Sequence, residues 1–249
     1  MKKKLYLKAG TAVAALIAST VSAQANVGTG GIKSGFYAGA SVGLSNLSGN
    51  QKLEATRSDG AVLDIRNNGL SATSAGVAVF AGYGQKYNCT WIAAELSYLF
   101  DRLNGNQNAT FDTTAVAKTF QSRSTGGAFG ASLHLGYIPH ENYVAYVILG
   151  VEMRRFQFGL SNPSNPVSDS ITGINAKKYT SVAFTPGLGM LVKLSKNVSL
   201  RGEYKYALHR SKTVTATSTP AAAGGLSTTS TLRQSPRVQS FQIGVVYSF

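Results

Sequence analysis

Six charged residues, Glu95, Glu152, Arg154, Arg201, Glu203 and Lys205, stand at alternate positions inside segments that are otherwise apolar, aromatic or small. In an extended chain, residues two apart point the same way, so Glu152 and Arg154 share a face, as do Arg201, Glu203 and Lys205. The chemistry open to such a set is ion pairing. Three carboxylates and three cations on converging faces would neutralise one another, whereas any one of them buried alone is costly. Two readings follow: a structural ion-pair network that fills an interior, and a gated path along which ions move. Lys193 has the same phase but falls near a chain reversal, where water would reach it.

Nucleophilic and metal chemistry are poorly served. His209-Arg-Ser211 puts an imidazole two residues from a hydroxyl, but no Asp or Glu occurs after Glu203 to orient the histidine. Alternation also turns His209 to the charged face. His134 and His140 have no Cys or carboxylate at metal-ligand spacing, and read as lining or turn histidines. The single Cys89 has no internal disulfide partner and sits in a turn. The sequence therefore predicts no catalytic residue, no cofactor and no metal site.

The elements that must position the charges are eight alternating segments. The first sets Phe36, Ala38, Ala40, Val42 and Leu44 against Tyr37, Gly39, Ser41 and Gly43. Five more follow at 75–84, 91–100, 127–138, 143–156 and 179–194. In the last of these Pro186 removes a ladder hydrogen bond and predicts a bulge. The seventh, 198–209, opposes Val198, Leu200, Tyr204, Tyr206 and Leu208 to Ser199, Arg201, Glu203, Lys205 and His209. The chain ends inside the eighth, 237–249, whose Phe241, Ile243, Val245, Tyr247 and Phe249 share a face. A strand at the chain end needs a partner for its free edge, and the first strand of a closed barrel is the natural one.

Charged residues make up 14% of the chain, against about 25% for an ordinary soluble domain. Lys2, Lys3, Lys4 and Lys8, an apolar run at 9–21, and the small residues Val21-Ser-Ala23 or Ala23-Gln-Ala25 read as a secretory signal over 1–25. A retained anchor is the alternative, although the run falls short of the roughly 20 residues that a helix needs to span a bilayer. Residues 26–249 form one domain. Loss of the four leader lysines takes the formal charge from +14 to +10. That excess, without a nucleic-acid motif, points to lipopolysaccharide, glycans or membrane headgroups rather than nucleic acid.

Both soluble and membrane barrels have one apolar face per strand, and four features favour the membrane. Connections alternate between long (46–74, 101–125, 157–178, 210–236) and short (85–90, 139–142, 195–197). Aromatic residues edge the apolar face at both ends: Phe36, Tyr83, Tyr137, Tyr143, Tyr247 and Phe249 at the turns, and Phe100, Phe129, Phe184, Tyr206 and Phe241 toward the loops. The opposite face is mostly Gly, Ser and Ala, which suit a crowded interior. The leader exports the chain. A lipocalin-like soluble barrel is the alternative.

With its leader, eight alternating segments and terminal Tyr247-Ser-Phe249, the chain resembles the eight-stranded outer-membrane barrels of Gram-negative bacteria. These include the transmembrane domain of outer membrane protein A, the opacity-type adhesins and the "porin family" surface antigens. The resemblance implies an all-β, eight-stranded antiparallel up-and-down transmembrane barrel with short periplasmic turns and four long extracellular loops. It implies that Tyr247 and Phe249 form a signal read by the barrel assembly machinery. It likens Glu95, Glu152, Arg201, Glu203 and Lys205 to the charged cluster inside such barrels. No peptidoglycan-binding domain is expected after the barrel.

The function expected is that of a non-enzymatic surface protein in outer-membrane lipid, with a structural role in the envelope. Its basic loop 210–237, through Arg210, Lys212, Arg233 and Arg237, would meet lipopolysaccharide or external glycans. The same Ser/Thr/Ala/Gly-rich composition also suits a mobile, soluble cap. A narrow small-solute pore is the alternative, although eight strands enclose an interior that side chains can fill. A lipid A-modifying enzyme is less favoured, because His209-Arg-Ser211 resembles the His-x-Ser of the deacylases without their carboxylate.

Overall fold

Each alternating segment leaves two backbone edges that must be paired, and closure of the sheet pairs them all. The computed structural model describes residues 32, 34–60, 62–111, 116–161, 177–218 and 228–249; the leader lies outside them. Ten strands form one antiparallel sheet: β1 (Gly35–Arg57), β2 (Val62–Tyr87), β3 (Thr90–Asp101), β4 (Asn104–Phe111), β5 (Val116–His140), β6 (Tyr143–Ser161), β7 (Lys177–Lys193), β8 (Val198–His209), β9 (Lys212–Ser218) and β10 (Thr228–Ser248). Neighbours run β1-β2-β3-β5-β6-β7-β8-β10, and β1 pairs with β10 to close an eight-stranded barrel. The closing ladder runs unbroken from Tyr37 opposite Ser248 to Arg57 opposite Thr228.

Residue alternation follows the expected division. Val42, Val79, Leu96, Leu133, Val151, Leu188 and Val245 are exposed on the outer face, while Ser41, Ala78, Glu95, His134, Thr185 and Val246 are buried inside. Aromatic residues pair edge-to-face on the outer surface, Phe36 with Tyr83 at 5.0 Å at the turn end and Tyr98 with Phe100 at 4.5 Å toward the loops.

Four expectations need correction. In three of the segments expected as long loops, 46–74, 101–125 and 210–236, most of the described residues are strand, and most of the third segment, 157–178, lies outside the described residues. β1 and β2 pair up to Thr56 opposite Val62, β4 pairs with the first half of β5, and β9 pairs with the first part of β10. These arms stand beyond the apolar band, so their outer face carries Ser, Thr, Asn and charge. Among the described residues of the arms, inward ones such as Leu47, Leu232 and Gln234 are buried, but apolar and polar types mix on that face, and the hydropathy alternation is lost. The turns are correspondingly tight: residues 88–89 join β2 to β3, with Asn88 at φ 50°, and residues 141–142 join β5 to β6.

Pro186 makes no bulge. It keeps its place opposite Leu149, and on its other side the β7–β8 pairing lapses at Thr185 and Pro186 and resumes in the same register at Gly187. The missing N–H is thus absorbed by a local gap. Lys193 is buried instead of lying in water. One irregularity lies in β5, where Gly126 and Gly127 take φ of 93° and 75° and the register shifts between Ser124 and Ala128. Only glycine adopts two such conformations in succession without strain.

At the closing seam Gly43 lets two backbones approach: a Cβ there would lie 2.0 Å from the Phe241 carbonyl oxygen. Gly43→Val is expected to weaken the seam by about 1–3 kcal/mol, the usual cost of overpacking. Urea unfolding of the folded barrel measures it, and an unchanged midpoint would contradict the seam geometry.

Candidate functional site

Side chains from β3, β6 and β8 converge inside the barrel because their alternate positions face the lumen. They meet in two clusters. In the one nearer the turns, Arg201 Nη1 donates to Glu95 Oε2 at 2.5 Å and Arg201 Nε lies 3.4 Å from Glu203 Oε1. Lys205 Nζ lies 2.9 Å from Glu203 Oε2. Tyr37 donates its hydroxyl to Glu95 at 3.1 Å and Tyr146 donates to Glu203 at 2.8 Å. The Arg201 guanidinium sits 3.4 Å over the Phe80 ring, a cation–π contact removed from water.

The second cluster lies toward the loops and centres on Arg154. Its Nη1 donates to both oxygens of Asp101, at 2.7 and 2.9 Å, and its Nε donates to Glu152 at 2.9 Å. Ser124, set inward by the β5 irregularity, accepts a longer bond from Nη1 at 3.4 Å. His209 Nε2 lies 3.6 Å from Glu152 Oε1 and its ring meets Phe156 edge-on at 4.9 Å. Asp101 was assigned by the sequence to a loop; it is the last residue of β3 and is buried. Its phase was readable, since it follows Glu95 by an even number of residues, but the polar stretch after Phe100 hid the end of the strand.

His134 lines the lumen, with carboxylates beside it that chain spacing did not foretell. It stacks on Tyr146 at 5.0 Å, and one ligand-type atom each from Glu95, His134 and Glu203 lie within 4.8 Å of one another. Spacing along the chain did not reveal this because the carboxylates arrive from β3 and β8 across the lumen. Among the described residues these three groups are placed closely enough to hold a metal ion. Arg201, Lys205 and two tyrosine hydroxyls already bond the two carboxylates there, which opposes the entry of another cation.

Apolar layers close both ends. Ile32, Phe80, Trp91, Val144, Leu191 and Val246 fill the turn end, and Leu47, Leu103, Phe156, Ala183, Ala207 and Val238 the loop end. Between and beside the clusters remain cavities of about 30 and 20 Å³. Each holds little more than one water. His209 and Ser211 do not meet: the imidazole is buried, while the Ser211 hydroxyl is exposed and bonds Ser235 at 2.7 Å.

The remaining predicted residues lie elsewhere. Arg210, Lys212, Arg233 and Arg237 are exposed where β8 leaves the barrel and along β9 and β10. At the other end Phe249 N donates to the Phe36 carbonyl at 3.1 Å, and Asn197 donates to the Tyr247 hydroxyl at 3.3 Å. Tyr247 and Phe249 pair edge-to-face at 5.2 Å on the outer surface.

The family model described as outer membrane protein beta-barrel domain matches residues 11–249. The chain belongs to this family. Among solved structures the outer-membrane barrel is similar to the outer membrane protein OprG from Pseudomonas aeruginosa, with 18% identity and a TM-score of 0.52, over 88% of this chain and 98% of that one. Neisserial surface protein A shares 15% identity at a TM-score of 0.43, over 86% and 97%. The outer membrane protease OmpT from Escherichia coli shares 11% at 0.44, over the same two fractions. These likenesses extend to the fold alone. No curated protein sequence matches the chain.

The two ion clusters have a stability consequence. Removing one partner of a buried pair leaves an uncompensated charge, which costs about 3–5 kcal/mol. Arg154→Ala is therefore expected to destabilise the outer-membrane barrel by that amount, because Asp101 and Glu152 both lose their cation. Adding Asp101→Ala and Glu152→Ala should recover much of the loss. Unfolding midpoints of the single and triple variants test this, and a fully additive series would contradict the network.

Proposed function

We propose that this outer-membrane barrel is a non-enzymatic surface protein whose β-extended loop end projects outside the cell and engages anionic ligands. The observation that carries the reading is the division of charge. Charges in the barrel wall are paired within a closely filled lumen, whereas Arg210, Lys212, Arg233 and Arg237 are exposed at the projecting end.

The geometry also supports the reading by what it opposes. Solute passage would require the apolar layers and both ion clusters to rearrange together. Lipid hydrolysis at His209 would require its imidazole to leave a buried contact with Phe156. In β9 and β10 the pairs Lys212 opposite Gln234 and Thr213 opposite Arg233 hold the basic groups on a rigid ribbon. A paired ribbon loses less entropy on binding than a free loop. Lipopolysaccharide sugars and external sulfated or carboxylated glycans fit this surface. The terminal Tyr247 and Phe249, exposed at the turn end, serve the barrel assembly machinery.

Lys212→Gln with Arg233→Gln should leave folding intact and weaken retention of the full-length barrel on immobilised heparin by about thirtyfold, at roughly 1 kcal/mol per surface cation. Unchanged retention would remove the adhesive role from the ribbon.

A further inference from the structure

Of the buried residues in the turn-end apolar layer, Ile32 alone lies outside the strands. Phe80, Trp91, Val144, Leu191 and Val246 belong to strands paired along both edges. Ile32 is 7% exposed, and its backbone N–H donates to the Glu141 carbonyl at 3.1 Å, in the turn between β5 and β6. Within three residues the chain has reached the far wall. Ser34 accepts the Lys86 N–H on its hydroxyl at 2.9 Å, and Gly35 enters β1 opposite Gly84.

The order of the staves shows what lies between these two points. In β1-β2-β3-β5-β6-β7-β8-β10 the β5–β6 turn stands half-way round the barrel from β1. The chain therefore crosses the mouth of the lumen. Three extended residues reach about 10 Å, enough to lie across a cylinder of eight staves. Gly35, at φ 150°, makes the bend from this crossing into β1 in a conformation that a side chain would strain.

Below the crossing lies the cavity of about 20 Å³, which Ile32 bounds together with Trp91, His134, Tyr146 and Arg201. Arg201 holds the two carboxylates of the turn-end ion cluster. Lifting Ile32 would join this cavity to the water at the mouth. The loop-end apolar layer stands beyond both ion clusters, so the opening would form a one-sided recess and not a through channel.

We infer that Ile32 and Ser34 form a strap that opens and recloses over the turn-end mouth, admitting water to the ion cluster of Arg201 from that side. Among the described residues the strap is held by one backbone hydrogen bond, one side-chain hydrogen bond and the burial of one side chain, whereas each stave is held by ladders on both edges. A segment held by so few bonds opens locally, well before the sheet does. The inference concerns the end of the barrel opposite the basic ribbon and does not depend on the adhesive role.

Trp91 is the only tryptophan in the chain and borders the cavity under the strap, so it reports the opening. The test follows hydrogen exchange by NMR in the folded full-length barrel in detergent micelles. The Trp91 indole hydrogen and the Ile32 amide should exchange through one common opening, at least about tenfold faster than the ladder amides of Ile148 and Val246. Ile32→Ala should speed the indole exchange a further tenfold or so and raise iodide quenching of Trp91 fluorescence, while amides along the β1–β10 seam stay slow. Ile32→Val should remain near the unmodified rate, and Leu47→Ala at the loop end should leave Trp91 unchanged. Indole exchange as slow as the ladder in the unmodified protein, a measurement that needs no variant to fold, would overturn the proposal. So would an Ile32→Ala variant with Trp91 unaffected, or equal acceleration by Leu47→Ala, which would place the entry of water at the other end.

Discussion

A bilayer core offers no water to backbone amides and carbonyls, and this constraint governs the whole molecule. A sheet can meet it only by closing on itself, so the last strand must find the first. The β1–β10 ladder does so without a break over the full height of both strands. The remaining features follow from closure. Each stave must be long enough to cross, close enough to its neighbours to bond, and divided between an oily outside and a crowded inside.

Eight staves make a narrow cylinder, and its width decides what the interior can contain. Glycine, alanine and serine occupy about half of the inward positions, leaving space for long side chains between them. Arg154 and Arg201 take that space, each holding two carboxylates. A buried pair of this kind adds little net stability over apolar packing, but it tolerates no missing partner. The lumen thereby specifies one arrangement of its wall. With apolar layers above and below the ion clusters, the described lumen is closely filled, and the exposed charges lie at the outer rim and on the projecting arms.

Much of this architecture was legible in the chain. Within the membrane each outward residue is selected for hydrocarbon and each inward one for size, so strict alternation over Phe36–Leu44 or Phe241–Phe249 names both faces. The six lumenal charges were readable for the same reason. Beyond the membrane both faces of the arms meet water or one another, and the alternation that marks a strand disappears. Hence β4, β9 and the outer halves of β1, β2 and β10 read as loops, and Asp101 was assigned with them. The neighbours of His134 were hidden for another reason: strands distant in sequence bring Glu95 and Glu203 to it, and chain spacing carries no record of that.

Closure is most directly tested by solution NMR of the folded protein in detergent micelles or nanodiscs. Amide–amide contacts should join residues 38–44 to residues 241–247 in the register Val42 opposite Ile243, with amide exchange as slow as in the interior strands. An open seam, with no contacts between β1 and β10 and rapid exchange along both edges, would contradict the account at its root.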